Sequence, residues 1–351
     1  MKKRFITAAA AFMTAALMLS GAAMAENTTE AATEKVQVPT EAPVTAGSDS
    51  EDAIHVVALK GPTAMGMVKM MDDCDTGALT DQPWNFQIVS AVDQVSPMLV
   101  QGTADIAAVP ANLASVLYNK TEGAVEVLAV NTLGVLYICD NGGTVNSIED
   151  LKGKTIYASG KGASPEYALN YILTGNGIDP AADVNIEWKS EHAECLATML
   201  NDPEGIALLP QPFVTVAQAE APQVRAAIDL TAEWDKLQEN ADVPSAMITG
   251  VVVARKAFVE ENADAVNAFL DDYKASVEYV NSSVEDAAGL VANYKIVPQQ
   301  VASIAIPLCN ITFIEGDELQ QKLSGYLGVL ADADPKAVGG KLPEDDFYYK
   351  R

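Results

Sequence analysis

Short apolar runs rich in β-branched residues recur along the chain, each followed by a stretch whose apolar positions lie three and four residues apart. The first series places strands at 55–61, 86–91, 105–111 and 125–131, with helices over 64–71, 94–101 and 112–118. Strictly alternating strands and helices are the pattern of a parallel sheet, because each parallel strand needs a crossover that a helix supplies. The series then restarts, with strands at 154–160, 184–190, 205–211 and 224–230 and helices over 165–173, 192–200 and 212–219. Another apolar strand follows within 247–258, and then 259–280, where Ala265, Phe269, Tyr273, Val277 and Val280 form one helical stripe. Helices are predicted again at 284–294, 299–305 and 318–330, after which Gly339, Gly340 and Pro343 break the pattern.

The two series align in register. Ile106 to Pro110 matches Ile206 to Pro210 at an offset of one hundred, and Asn85 to Ile88 matches Asn185 to Trp188 at the same offset. Val125 to Thr132 matches Val224 to Thr231 at ninety-nine. Three matches in register predict two α/β lobes of one topology. The runs 133–140 and 249–256 flank the second series, so they are read as the crossing strands of a two-stranded hinge. The first lobe is then discontinuous, built from 53–135 and 248–351, and the second comprises 136–247.

Composition narrows the setting. Lys2, Lys3 and Arg4, an apolar run from Phe5 to Leu19 and the small-x-small site Ala23-Met24-Ala25 read as an export signal over 1–25, cleaved near Ala25. Leu19-Ser20-Gly21 opens a lipoprotein box, but Ala22 stands where the lipidated Cys belongs, so a free periplasmic or secreted protein is expected. Residues 26–52, rich in Thr, Glu, Ala and Pro, are expected to be a disordered leader. Beyond them 299 residues remain, the right size for two lobes. The chain is 49% hydrophobic with a mean hydropathy of +0.10, as a globular protein is. Its formal net charge of −26, or −29 without the three basic signal residues, repels phosphate backbones, which excludes nucleic acid as a partner. Cys74, Cys139, Cys195 and Cys309 form no C-x-x-C pair, which excludes zinc ribbons and thioredoxin-like sites; up to two disulfides or four free thiols are open. With His55 and His192 as the only histidines, no His-rich metal site is expected.

Candidate chemistry sits at the strand ends. In open α/β sheets ligands lie beyond the carboxyl ends of the strands, where helix N-termini present free amides. Gly61, Pro62, Thr63 and Ala64 follow the first strand of lobe one; Gly160, Gly162, Ala163 and Ser164 follow the first strand of lobe two. Glycine lets backbone approach a ligand closely, and Ser164 followed by Pro165 reads as a helix cap. The repeated Ile-Ala-x-x-Pro turns bring Pro110, Asn112 and Gln211 to the same edge, Asn131 and Thr132 close the fourth strand, and Ser245 and Thr249 border the return crossing. Tyr137 and Phe213 are the aromatic residues placed to line a cleft, although core packing accounts for either. Trp84 precedes its strand and so belongs to the opposite edge; Lys60 and Lys161 stand beside the glycine turns. Two such rims facing across a hinge make a clamp for a small molecule.

The stretches "LKGPTAMGMVKMM", "GTADIAAVPAN", "SIEDLKGKTIYASGKGASPEYALNYIL" and "ARKAFVEENADAVNAFL", all within 54–280, resemble the substrate-binding proteins of ABC importers. The branch concerned includes the alkanesulfonate, taurine, nitrate and thiamine-pyrimidine binders. The resemblance implies a type II periplasmic-binding-protein fold, α/β, with C-terminal helices packed on the first lobe. It also implies a monomer that captures a small solute such as a sulfonate, pyrimidine or aromatic acid, delivers it to an ABC permease, and uses neither cofactor nor metal.

An exported enzyme using a nucleotide is the alternative. Gly160-x-Gly162-x-x-Pro165 half-matches a dinucleotide fingerprint, but its third Gly is Pro. Gly153-Lys154-Thr155 imitates the end of a phosphate loop, yet Ile148 replaces the first Gly. Gly162 to Glu166 lacks the last Gly of a nucleophile elbow, and the segment from Glu191 to Cys195 reads as a solvated helix face. The Cys-rich motif of the related eukaryotic pyrimidine synthases is absent. A secreted adhesion protein, suggested by the leader alone, finds no support in the core.

Overall fold

The computed structural model describes residues 43–90, 92–239 and 245–351. The expected export signal, and the expected leader as far as residue 42, lie outside the described residues. In chain order the strands are β1 Val44–Gly47, β2 Ile54–Leu59, β3 Trp84–Val89, β4 Ile106–Pro110, β5 Val125–Leu133 and β6 Leu136–Asp140. Then come β7 Thr155–Ser159, β8 Asn185–Lys189, β9 Ile206–Pro210, β10 Arg225–Asp229, β11 Ile248–Arg255 and β12 Ile311–Ile314. They form two sheets, β1-β3-β2-β4-β11-β5-β12 and β10-β6-β9-β7-β8.

Five strands occupy equivalent places in each sheet, β3-β2-β4-β11-β5 in one and β8-β7-β9-β6-β10 in the other. The sequence repeats fall on them as expected: β4 answers β9, β3 answers β8 and β5 answers β10. Within each set the fourth strand runs antiparallel to both neighbours, β11 against β4 and β5, and β6 against β9 and β10. These are the crossing strands, each inserted into a sheet whose other members of the five point one way.

The helices are α1 Pro62–Met65, α2 Val68–Thr76, α3 Val92–Gln101, α4 Ala111–Lys120, α5 Ser164–Gly175, α6 His192–Asn201 and α7 Phe213–Glu220. They continue with α8 Leu230–Gln238, α9 Lys256–Glu261, α10 Ala263–Ser282, α11 Val284–Asn293, α12 Gln299–Ala305 and α13 Gly316–Ala333. Strand side chains alternate between faces, so the first sheet feeds two cores. Val57, Val109, Val127 and Val253 enter one; Val56, Ile106, Ala108 and Val252 enter the other. The stripe read on 259–280 is that of α10, whose Phe269, Tyr273, Val277 and Val280 pack with Met70 and Met71 of α2 and with Trp84. The last long helix, α13, packs Leu319, Leu323, Tyr326, Leu327 and Leu330 into the other core. Tyr326 lies 5.3 Å from the Trp234 ring of α8, so α13 touches the second lobe as well as the first.

Several expectations are corrected. The leader does not run to residue 52, because Val44–Gly47 pairs antiparallel with β3 and completes its edge. The helix expected over 64–71 is broken into α1 and α2 at Gly66, where a Cβ would stand 3.1 Å from both Ile311 Cγ2 and the Tyr273 hydroxyl. Strand β12 and helix α8 were not anticipated. The four cysteines are free thiols, three of them buried, with burial pushing Cys139 and Cys309 up to about 12.

The two lobes are joined where β5 passes into β6 and where 245–247 leads into β11. Ile248 pairs with Leu133, and the Thr249 hydroxyl donates to the Leu133 carbonyl at 2.6 Å. Asn310 Nδ2 donates to the Gly134 carbonyl at 2.5 Å, and Gln211 N–H to the Val135 carbonyl at 2.9 Å. A Cβ on Gly134 would fall 2.0 Å from Thr231 Oγ1 and 2.6 Å from Met247 Cε, so any larger residue at this hinge position must shift both side chains.

Candidate functional site

Both sheets turn the carboxyl ends of their parallel strands toward the hinge. In the first lobe β2 ends at Leu59, and Gly61 adopts φ 138° and ψ −155°, a conformation that favours glycine. Pro62 opens α1, and the Thr63 hydroxyl donates back to the Leu59 carbonyl at 2.8 Å. Thr63, Asn131 and Thr132 converge on Gly250, where a Cβ would lie 2.9 Å from Thr63 Cγ2, 2.4 Å from Asn131 Oδ1 and 3.1 Å from Thr132 Oγ1. Asn131 is fully buried; its Oδ1 accepts from the Thr132 hydroxyl at 3.1 Å, and its amide faces the buried Tyr273 hydroxyl. Pro110 is half-buried at the cap of α4 and pairs with Gly250. Ala64 does not join this group, being fully buried in the core.

In the second lobe Gly160 and Gly162 both have positive φ, 81° and 76°. Ser164 does not cap α5: Ala163 holds that position, and Glu166 instead accepts from Gly162 N–H at 2.5 Å. The Ser164 hydroxyl donates to Asn112 Oδ1 at 3.1 Å. Asn112 Nδ2 donates to the carbonyls of Ala337, 3.2 Å, and Gly162, 3.4 Å. Asn112 stands on α4 of the first lobe and Gly162 and Ser164 on the second, so these residues form a polar tie between the lobes.

Three further expected residues are committed to local structure. Gln211 Oε1 accepts from Thr215 N–H at 3.3 Å and from its hydroxyl at 2.9 Å, which fixes the start of α7. Ser245 accepts from the Trp234 indole through its carbonyl, 3.1 Å, and hydroxyl, 3.3 Å, and bonds to Gln238. Thr249 ties the hinge strands. Trp84 is buried at the start of β3, the edge away from the strand ends, as expected.

Phe213 is half-buried, with its ring 5.4 Å from that of His192. The sequence reads His192 as part of a solvated face, yet its Nδ1 lies 2.6 Å from the hydroxyl of buried Ser159, the last residue of β7. Burial pushes this imidazole down to about 4. Its position was legible, since His192 opens the helix that follows β8, the same strand-end logic that selected Ser164. Acidic Glu191 and Glu194 on either side masked it. Tyr137, half-buried at the start of β6, has its phenol pushed up by burial and by the charge of Asp229. Among the described residues no group of three or more His, Cys, Asp or Glu side chains is arranged to hold a metal ion.

Residues 86–287, more than half of the chain, match the family described as NMT1/THI5-like. The chain belongs to that family. Solved structures share the fold of this NMT1/THI5-like chain. An ABC transporter from Parabacteroides distasonis is 22% identical, with a TM-score of 0.71 over 86% of this chain and 100% of that one. The periplasmic aliphatic sulphonate binding protein SsuA from Escherichia coli is 16% identical, with a TM-score of 0.67 over 86% and 93%. The periplasmic nitrate-binding protein NrtA from Synechocystis PCC 6803 is 14% identical, with a TM-score of 0.55 over 76% and 74%. No curated protein matches the chain in sequence. The fold is therefore that of the type II periplasmic binding proteins, and among the described residues no helix is long and apolar enough to cross a membrane.

Proposed function

We propose that this protein is the extracytoplasmic solute-binding component of an ABC importer. It closes its two lobes on a small molecule and hands it to a membrane permease, working as an exported monomer without catalysing a reaction. The observation that carries the reading is the meeting of two glycine-turn rims across a two-stranded hinge, already tied by Asn112, Gly162 and Ser164. The moving bodies are 44–135 with 248–351 on one side and 136–247 on the other. Gly61 to Thr63, Asn131, Thr132, Tyr137, Gly162 to Ser164 and Phe213 line the space that receives the solute, joined by Ser159 and His192. Structural neighbours that bind sulphonate and nitrate fit a clamp for small solutes.

A thermal-shift screen against small acids, amides, pyrimidines, amino acids and nicotinamide cofactors tests this. A true solute at a hundred times its Kd adds about 2.7 kcal/mol to stability. The expected result is a shift with a small solute, accompanied by a smaller radius of gyration in solution scattering. Turnover of any substrate, or a bound solute away from both glycine turns, would overturn the reading.

A further inference from the structure

The backbone passes between the lobes twice, but the lobes also meet where no backbone crosses. Helix α13 rests on β5 and α4 of the first lobe and on α5 of the second. Glycine in a helix interior is destabilising relative to alanine, so Gly325, in the middle of the 18-residue α13, needs a reason in packing. A Cβ there would stand 3.3 Å from Ser245 Cβ and 3.7 Å from its Cα, so the glycine brings the helix backbone down onto Ser245. Ser245 is fixed to the second lobe. Gln238 Oε1 accepts from its N–H at 3.0 Å and from its hydroxyl at 3.1 Å, and Gln238 Nε2 donates to the Tyr171 hydroxyl of α5 at 2.6 Å. Gly328, the next glycine of α13, has open space at its Cβ.

Tyr326 adjoins this contact and reaches the rim. Its ring lies 5.3 Å from that of Trp234, which is 4.6 Å from that of Tyr171. Its hydroxyl faces Ser164, the residue that ends the second glycine turn and donates to Asn112 Oδ1 at 3.1 Å. Ser164 is thus seated between two side chains of the first lobe, Asn112 from α4 and Tyr326 from α13. Those two are tied in turn, since Asn112 Nδ2 donates at 3.2 Å to the carbonyl of Ala337, in the helical turn Pro335–Val338 that follows α13. Asn112, Ser164 and Tyr326 are all buried to 1% exposure or less, where a polar group that loses its partner is costly. Parting the rims withdraws Ser164 from both partners at once. The contact between Gly325 and Ser245 lies beside the covalent hinge, where a rotation of the lobes displaces atoms least.

We infer that α13 is a third, non-covalent joint of the clamp. Gly325 is the pivot on which the second lobe turns, and Tyr326 is a positioning residue that seats the second glycine turn through Ser164. The joint rests on the clamp reading above. It places a fixed contact and a releasable one at adjacent residues, so the rim opens without α13 leaving the second lobe.

Hydrogen exchange and solution scattering of the full chain test the joint. Tyr326→Phe keeps the ring on Trp234 and removes only the hydroxyl. Amide exchange over 160–168 is expected to rise severalfold, with exchange over 225–238 unchanged. Gly325→Leu wedges the pivot and is expected to enlarge the radius of gyration, while Gly328→Leu leaves it at the native value. Asn112→Ala is the control for parting of the lobes. The joint is overturned if Gly325→Leu scatters like Gly328→Leu, or if Tyr326→Phe leaves 160–168 unchanged or loosens 225–238 equally. An enlarged Asn112→Ala form then leaves the clamp standing. No change in any variant, Asn112→Ala included, means that the lobes do not part, and the clamp reading falls together with the joint. Should Gly325→Leu fail to fold, the exchange result for Tyr326→Phe decides alone.

Discussion

His192 is an imidazole that protonates more readily in the unfolded chain than in the folded one, since burial pushes it from 6.5 to about 4. Its contribution to stability is therefore complete above about pH 6.5 and is lost as pH falls toward 4, up to about 3 kcal/mol in all. Urea unfolding at pH 7.5 and pH 5 should show about 2 kcal/mol of that drop in the native chain and a smaller one in His192→Gln. Asp272 has the opposite sign. Burial, then the charges of Asp81 and Asp271, push its carboxyl from 3.8 to about 6, against an opposing effect of the Trp84 indole. A raised carboxyl stabilises the fold below about 3.8 and loses that benefit as pH rises through 6. Asp272→Asn is accordingly expected to gain about 1–2 kcal/mol at pH 7 and nothing at pH 4, read by the same unfolding curves. At Gly250 the constraint is steric: an added Cβ 2.4 Å from Asn131 Oδ1 must displace the rim. Gly250→Ala should cost about 1–3 kcal/mol and weaken solute binding more than tenfold in a titration.

Among the elements, the β6–β7 connection is fixed by one side chain. Asp140 is fully buried and accepts from Gly142 N–H, 3.0 Å, Gly143 N–H, 3.1 Å, Val145 N–H, 2.8 Å, and Arg225 Nη2, 2.9 Å. Burial pushes its carboxyl up, but Val145, Arg225 and Gly142 outweigh that and hold it below the usual range. Asp140→Ala should cost about 3–5 kcal/mol, because buried donors and a guanidinium lose their acceptor; chemical denaturation measures it. This role was not readable from sequence, since the partners lie as far apart as residues 140 and 225. What was readable was periodic. The ten strands of the two repeated sets follow apolar runs, and their equivalence follows from three aligned segments. Strands β1 and β12 are four residues each, too short for a period to register, and they form by completing edges already present. Helix α8 was missed because Leu230 and Trp234 are its only buried apolar side chains among charged neighbours. At the strand ends, the same logic selected Thr63, Asn131, Thr132, Asn112 and Ser164, which the structure places beside Gly250 and at the tie between the lobes. It could not tell which polar groups face the cleft and which, like Gln211 and Ser245, spend their hydrogen bonds on holding the frame.

For the whole molecule, the polar tie sets how readily the lobes part. Asn112 meets Gly162 and Ser164 of one lobe while holding Ala337 of the other. Asn112→Ala should widen the solute-free form, seen as a larger radius of gyration, and weaken binding severalfold by lowering the closed population.

The placing of β11 between β4 and β5 has a bearing on how the polypeptide is made. A nascent chain released as far as residue 240 already contains all five strands of the second sheet, yet its first sheet is cut in two, with β4 and β5 awaiting a partner not yet synthesised. Even then the final turn of chain is needed, because Tyr349 N–H bonds to the Val127 carbonyl at 3.0 Å. The half encoded first is thus the half completed last. Ribosome-bound chains stalled once residue 240 has emerged from the exit tunnel should show protease resistance over 136–238 while 44–133 is still digested.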